Sequence, residues 1–184
     1  MDRGDEEVRG LGGVDLSVEP GEIVVLVGPS GSGKSTLLMC LAGRDEPDGG
    51  SVIVGSEPIT RRPEVEKTRL RSKYFGVMLQ KENLFAHLTV SENVKAAQAV
   101  NGAVDTTTST MLLKQIGLDG RHDALPAQLS GGEKARACLA VALSRSPKIL
   151  LLDEPTGEVD AETENLILAV LDTHRSAGRS IVVA

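Results

Sequence analysis

Gly28-Pro29-Ser30-Gly31-Ser32-Gly33-Lys34-Ser35 matches the pattern GxxxxGK[ST] in full. Glycines at those spacings let the backbone fold tightly enough to aim several N–H groups at one anion. A helix beginning at Lys34 adds the positive end of its dipole. In that arrangement Lys34 reaches the β and γ phosphates of a nucleotide, and the Ser35 hydroxyl is a hard oxygen ligand for Mg2+. Thr36 hydrogen-bonds a phosphate oxygen beside it. The competing reading is a Gly/Ser-rich turn with a chance lysine. The buried strand before the loop and the helix after it argue against that.

A second chemistry sits at Asp153-Glu154-Pro155, directly after the apolar run Ile149–Leu152. Two adjacent carboxylates at the end of a buried strand are costly unless a cation offsets them. In a parallel sheet this strand end shares an edge with the phosphate loop. Mg2+ is the natural partner of Asp153, through water. Glu154 is then free of the metal and polarises an attacking water. A turn or helix-entry acid pair is the bland alternative.

A third segment is Leu129-Ser130-Gly131-Gly132-Glu133. Ser130 and Glu133 form an S-x-x-E capping box for the helix that follows. A cap alone does not explain two glycines in a first helical turn, each costing about 1 kcal/mol against alanine. Bare glycines there suit a phosphate lying against the backbone N–H groups. The chain thus owns two anion sites, 96 positions apart between Lys34 and Ser130. One nucleotide does not need both within one chain. A head-to-tail pair uses both: the second chain's glycine helix closes over the nucleotide on the first.

The elements that must position these groups alternate. Residues 22–27 read as a buried strand, 34–42 as a helix closed by Gly43, 51–54 as a strand, and 64–71 as a charged helix. Residues 74–79 and 149–153 read as strands, 161–177 as a long amphipathic helix and 180–184 as a strand. Residues 14–18 alternate apolar and polar, as a half-exposed strand does, with Pro20-Gly21 as the turn after it. From about 81 to 145 no strand is expected. Helices are expected over 91–99, 109–116 and 131–144, and the polar cluster 106–110 as a helix-entry loop. The pattern predicts one α/β domain over 1–184: a mostly parallel sheet covered on both faces, an N-terminal antiparallel β portion, and a helical lobe over about 81–145. No repeat of solenoid or propeller period occurs.

Composition narrows the partners. Twenty Lys+Arg against 26 Asp+Glu leave a net charge of −6, which argues against a nucleic-acid binder held by phosphate neutralisation. Only Tyr74, Phe75 and Phe85 are aromatic, so the core is aliphatic and base-stacking platforms are nearly excluded. Cys40 and Cys138 form neither a CxxC pair nor a metal spacing, which fits a reducing cytosol. No apolar run approaches the roughly 18–20 residues of a membrane span. The polar residues 1–9 read as a loose terminus without a secretory h-region. The apolar strand at 180–184 ends the chain abruptly, and further sequence is expected beyond it.

On these motifs the chain resembles the ATP-binding subunits of ABC transporters, along essentially its whole length. Gly28 to Thr36 resembles the family's Walker A motif, Leu129 to Glu133 its signature, and Ile149 to Pro155 its Walker B. Within the family, Phe75-Gly76-Val77-Met78-Leu79-Gln80 and residues 84–93 look most like the lipoprotein-release and macrolide-export branch. The resemblance implies a P-loop NTPase fold and an ATPase that uses ATP and Mg2+. It implies that Gln80 senses Mg2+ and water and couples the site to a membrane partner. It also implies that Ser130, Gly131 and Gly132 contact the γ-phosphate on the opposite chain. Asp160, in Gly157-Glu158-Val159-Asp160, would lie across the dimer interface. A solvated loop residue is the ordinary reading of Gln80, and a helix N-cap that of Asp160.

The implied partners are a second ATP-binding subunit and an integral membrane permease docked near Gln80 and residues 81–92, with no nucleic acid. The implied location is cytoplasmic, at the inner face of the cell membrane. The pattern has departures. No aromatic precedes Tyr74 to stack adenine, and the family's first strand, which would carry it, is not expected in this chain. Lys134 replaces a common glutamine. The family's switch histidine would fall past Ala184, and His87, His122 and His174 read as ordinary packing or surface histidines. The alternatives are a soluble ABC-type ATPase acting on DNA, for whose coiled coil the 96-residue interval leaves no room, or on ribosomes, whose relatives usually carry two such units in one chain, and a catalytically weak nucleotide-dependent regulator lacking the switch histidine.

Overall fold

In a computed structural model, the structure describes residues 12–80, 83–100, 102, 104–157 and 159–184. The stretch 1–9, read as a loose polar terminus, lies outside the described residues, as do Lys81, Glu82 and Glu158. Four parallel strands form the main sheet in the order β1 (Ile23–Val25), β6 (Ser180–Val183), β5 (Ile149–Leu152), β4 (Phe75–Met78). Strands and helices alternate around it: α1 (Lys34–Leu41) follows β1, α2 (Glu64–Tyr74) precedes β4, and α6 (Ala161–Ser176) joins β5 to β6.

The apolar run of β5 is explained by burial on both faces. Successive strand side chains point to opposite faces. Leu150 and Leu152 therefore join one core cluster with Met78, Leu139 and Ile181, while Leu151 joins another with Leu38, Phe75 and Val182. The first cluster continues into α3 (Val90–Ala99), α4 (Thr106–Gln115) and α5 (Gly131–Leu143) through Val94, Leu113 and Ala140. Between Asn83 and Arg145 no strand occurs among the described residues, as the sequence pattern requires. The alanines of α5 let it press on β4. A Cβ on Gly76 would lie 2.2 Å from the Ala142 carbonyl oxygen, so only glycine fits there.

Four local readings change. Residues 22–27, read as a buried strand, form instead the short edge strand β1, with Ile23 40% and Val25 61% exposed, because among the described residues no strand flanks its outer side. Residues 14–18 form no strand, because among the described residues no neighbouring strand offers them a ladder, and alternation without one does not hold an extended chain in a sheet. The antiparallel portion is instead the short pair β2 (Ile53–Val54) and β3 (Glu57–Pro58). It is tied to α2 through Glu57, which pairs with Arg69 at 2.9 Å and Lys73 at 2.6 Å and accepts the Tyr74 hydroxyl at 2.5 Å. Those donors hold the Glu57 carboxyl down at about 2. The polar cluster 106–110 is not a loop but the first turns of α4. Asp105 caps it by accepting the Thr108 N–H at 3.1 Å, and the Ser109 hydroxyl bonds back to the Asp105 carbonyl at 2.8 Å.

His174 lies on α6 with 4% of its surface exposed, and its Nε2 has no hydrogen-bond partner among the described residues. Burial, with the charge of Arg179 adding to it, pushes its pKa down to about 4. An unfolded histidine titrates near 6.5, so between pH 6.5 and 4 the unfolded chain takes up the proton first. Stability therefore falls as pH drops through that window, by about 3 kcal/mol at most. Denaturant unfolding from pH 7 to 4.5 is expected to show this loss, and His174→Leu to flatten it. An equal pH slope in both proteins would remove His174 from the account.

Candidate functional site

Because the four strands are parallel, their carboxyl ends open on one edge, and the loops after β1, β4 and β5 carry the candidate chemistry there. The loop 28–33 leaves β1 after Leu26, whose N–H donates to the Val183 carbonyl at 2.7 Å. Gly31 and Gly33 sit in the left-handed region, at φ 79° and 90°. Gly28 has its own reason to be glycine: a Cβ there would lie 2.7 Å from the Ser32 hydroxyl. Gly28, Pro29, Ser30 and Gly31 are exposed, as are Ser35 and Thr36. Lys34 folds back along the loop, its Nζ donating to the Gly28 and Pro29 carbonyls at 2.9 Å each.

Helix α1 starts without a side-chain cap, since Gly33 is its N-cap, and its first turn carries no acid. By contrast α3, α4, α5 and α6 are capped by Thr89, Asp105, Ser130 and Asp160. An uncapped helix start beside a lysine, reached through a glycine loop, is a receptor for an anion from outside the helix.

At the end of β5, Asp153 is 6% exposed. Its N–H donates to the Met78 carbonyl at 2.8 Å, while no hydrogen bond to its carboxylate is found among the described residues. Glu154 turns outward into solvent in the left-handed region, at φ 49°, a conformation that costs on the order of 1 kcal/mol in a non-glycine residue. Its N–H is anchored on the Ala184 carbonyl at 2.9 Å. The exposed Gln80, two residues past β4, donates its Nε2–H to Glu154 Oε2 at 2.8 Å. The loops after β4 and β5 thus meet through the two side chains singled out for water and metal chemistry.

Gln80 is held by a residue that sequence reasoning missed. Asn83 pairs with the Leu79 backbone in both directions, accepting its N–H at 2.7 Å and donating to its carbonyl. The side-chain amide thereby replaces a strand neighbour just before Gln80. A strand-like hydrogen-bonding role for a single asparagine leaves no mark in a hydropathy pattern.

The Ser130 tip forms the expected capping box. Ser130 Oγ accepts the Glu133 N–H at 3.2 Å, and Glu133 accepts the Ser130 N–H at 2.8 Å. Arg121 adds an ion pair to Glu133 at 2.7 Å; with the Ser130 N–H, first in weight, it lowers the Glu133 pKa. Ser130 and Gly131 are exposed. Gly132 is not explained by an anion alone: a Cβ there would lie 2.7 Å from Thr163 Oγ1 and 3.3 Å from Asp160 Oδ2. Asp160 is an N-cap, its Oδ1 accepting the Thr163 N–H at 2.8 Å. Among the described residues no hydrogen bond or ion pair joins Ser130, Gly131 or Gly132 to the loop 28–33. Loop 28–33, Gln80, Asp153 and Glu154 share one edge, and the tip packs against Asp160 and Thr163.

A family model described as ABC transporter matches residues 11–157. A lipoprotein-releasing system ATP-binding protein, LolD of Ruegeria pomeroyi, is 41% identical over 97% of this chain and 80% of its own length. The macrolide export ATP-binding/permease protein MacB of Burkholderia thailandensis is 37% identical over 98% of this chain and 28% of that larger protein. Among solved structures, the dimeric post-hydrolysis state of the ATP-binding cassette MJ0796, bound to ADP and Pi, superposes with a TM-score of 0.91 at 32% identity. It covers 100% of this chain and 82% of the other.

The cap geometry gives a stability test that is independent of any ligand. Ser130→Ala removes the acceptor of the Glu133 N–H and is expected to cost about 1 kcal/mol. Thermal unfolding followed by circular dichroism reads this directly. A variant as stable as the parent would mean that the tip is held by the Glu133 pairs alone.

Proposed function

The chain belongs to the ABC transporter family, and from that premise we propose that two copies of it close head to tail around ATP and Mg2+ and so drive a separate membrane permease. The chain is an ATP-binding subunit with ATPase activity, on the family match and on its likeness to an ATP-binding cassette caught after hydrolysis. The finer roles are our reading of the geometry.

The phosphates lie against the amides of loop 28–33 and the first turn of α1. Lys34, which spans two loop carbonyls in the free protein, exchanges them for the β and γ phosphates. Pro29, Ser30, Gly31 and Ser32 shape the cradle, and Thr36 adds a hydroxyl. Mg2+, when bound, neutralises charge on the β and γ phosphate oxygens. Its fit rests on Asp153, a nearly buried carboxylate without a hydrogen-bond partner among the described residues, with Ser35 as the second oxygen and Gln80 as the third contact. No cluster of three His, Cys, Asp or Glu suited to a metal occurs among the described residues, as expected where phosphate and water complete the shell.

Glu154 is the general base. The hydrogen bond from Gln80 holds its Oε2 in place, and its exposure lets water reach it. Ser130, Gly131 and Gly132 come from the partner chain, with Asp160 beside them at the interface. What carries this reading is the tip itself: exposed, capped so that amides remain free, and unbonded to its own chain's phosphate loop. ATP touching both chains favours the closed pair, and hydrolysis removes the bridge.

The permease docks next to Gln80. Past it, Asn93 knits the loop 84–89 together, accepting the Phe85 N–H at 2.7 Å and donating to the Leu88 and Thr89 carbonyls. That rigid loop holds Phe85 out to solvent, 60% exposed, as a docking surface requires. The helical lobe of about 81–145 is the part that follows the permease. No helix among the described residues is long and apolar enough to cross a membrane. On our reading the subunit works from the cytoplasmic face, as a peripheral partner of the permease.

Lys34→Ala is expected to abolish tight MgATP binding, read by titration with a fluorescent nucleotide; unchanged affinity would show the phosphate site misassigned. Glu154→Gln should bind MgATP as before, lose turnover by about 10²–10³-fold, and accumulate an ATP-bound dimer in sedimentation. Monomers at every concentration would count against the shared site.

A further inference from the structure

The Ser130 tip and the Asp160 turn come from different elements, α5 and α6, yet one side chain touches both. Thr163 is 2% exposed. Its hydroxyl donates to Asp160 Oδ2 at 3.1 Å and accepts from Arg136 Nη1 at 2.6 Å. It also stands where a Gly132 side chain would begin. Arg136 belongs to α5, one and a half turns after Gly131. The guanidinium of α5, the hydroxyl of α6 and the carboxylate of the Asp160 cap form one chain of polar contacts. Gly132 allows the two elements to approach closely enough for it.

We propose that Thr163, held by Arg136, is a positioning residue that locks the Ser130–Gly132 tip to the Asp160 turn, so that both meet the partner chain as one rigid surface. This rests on the head-to-tail reading above. Association is weakened by whatever must be ordered at the moment of contact. Two separately mobile tips would each lose freedom on closure, whereas a tip and turn already joined in the free chain lose little. Donor and acceptor are both used at Thr163, so its hydroxyl cannot be replaced by an apolar group of the same shape without releasing Arg136 and one oxygen of Asp160 together. The lock lies on the tip side of the chain and makes no hydrogen bond with loop 28–33 among the described residues, so it should leave the chain's own nucleotide site untouched.

The test uses the Glu154→Gln chain, in which the ATP-bound dimer is expected to persist. Thr163→Val, which keeps the shape, should raise the dimer dissociation constant about tenfold in sedimentation with MgATP, while MgATP affinity of the monomer stays within twofold. Thr163→Ser, which keeps the hydroxyl, should restore dimerisation. Arg136→Met should weaken the dimer similarly, and the double variant no more than the worse single one, since both break the same unit. Should Thr163→Val fail to fold, Arg136→Met and Thr163→Ser decide the matter. The proposal is overturned if Thr163→Val or Arg136→Met dimerises like its parent, if the two losses add in full, or if monomer affinity for MgATP falls in proportion. A Glu154→Gln parent that binds MgATP yet never dimerises would overturn the head-to-tail reading, and this inference with it.

Discussion

Everything in this structure follows from a parallel sheet whose inner strands, β5 and β6, are buried on both faces. Parallel strands send all their carboxyl ends to one edge, so the residues after β1, β4 and β5 meet there whatever their separation in sequence. Double burial demands continuous apolar strands, and Leu150, Leu151 and Leu152 meet that demand by dividing between the two core clusters. The chemistry then begins at the first residue past the apolar run. Asp153 is polar and still nearly buried, and Glu154 is turned out of the sheet by a left-handed backbone. A single step along the chain separates a nearly buried carboxylate from one that water can reach.

The motifs were legible because each combines a residue type with a backbone requirement. Glycine at 31 and 33 is needed at positive φ, and Lys34 opens a helix directly behind. The sheet was legible because burial leaves a period in the hydropathy. The misread parts lack such a constraint. Residues 14–18 carry the right period without a strand to pair with. Residues 106–110 look like a loop by composition, yet Asp105 converts them into a helix by a single cap. The pair at Ile53–Val54 and Glu57–Pro58 is held by Glu57 reaching Arg69, Lys73 and Tyr74, contacts between residues too far apart in sequence to show in a local pattern. Asn83 escaped for the same reason in reverse: its role is local, but it consists of backbone pairing that any polar residue type conceals.

Gly132 shows where a motif can be explained twice. From sequence, both glycines of the tip were assigned to an anion, because two in one helical turn are wasteful. The structure divides them. Gly132 is small because Thr163 and Asp160 lie against it, a packing demand that holds with or without a nucleotide. Gly131 carries the argument for exposed backbone, at a position open to solvent. A residue shared between packing and binding is doubly constrained, and its replacement by alanine would be felt in the monomer as well as in any complex.

The capping box and the anion site at this tip are also compatible rather than alternative. A helix start offers four N–H groups without partners inside the helix. Ser130 Oγ takes only that of Glu133, and Glu133 turns back to hold the Ser130 N–H. The amides of Gly131 and Gly132 make no hydrogen bond among the described residues, and they lie between the two that are used. At α1 the division is different: Gly33 has no side chain to offer, so the first turn keeps all its amides for a ligand. On the head-to-tail reading, one helix surrounds phosphate with backbone, assisted by Lys34. The other touches it with two amides from a tip held by its cap and by Arg121, and on the proposal above by Thr163. That asymmetry is what a nucleotide gripped firmly by one chain and only briefly by the next requires, since the second contact must be released after each turnover.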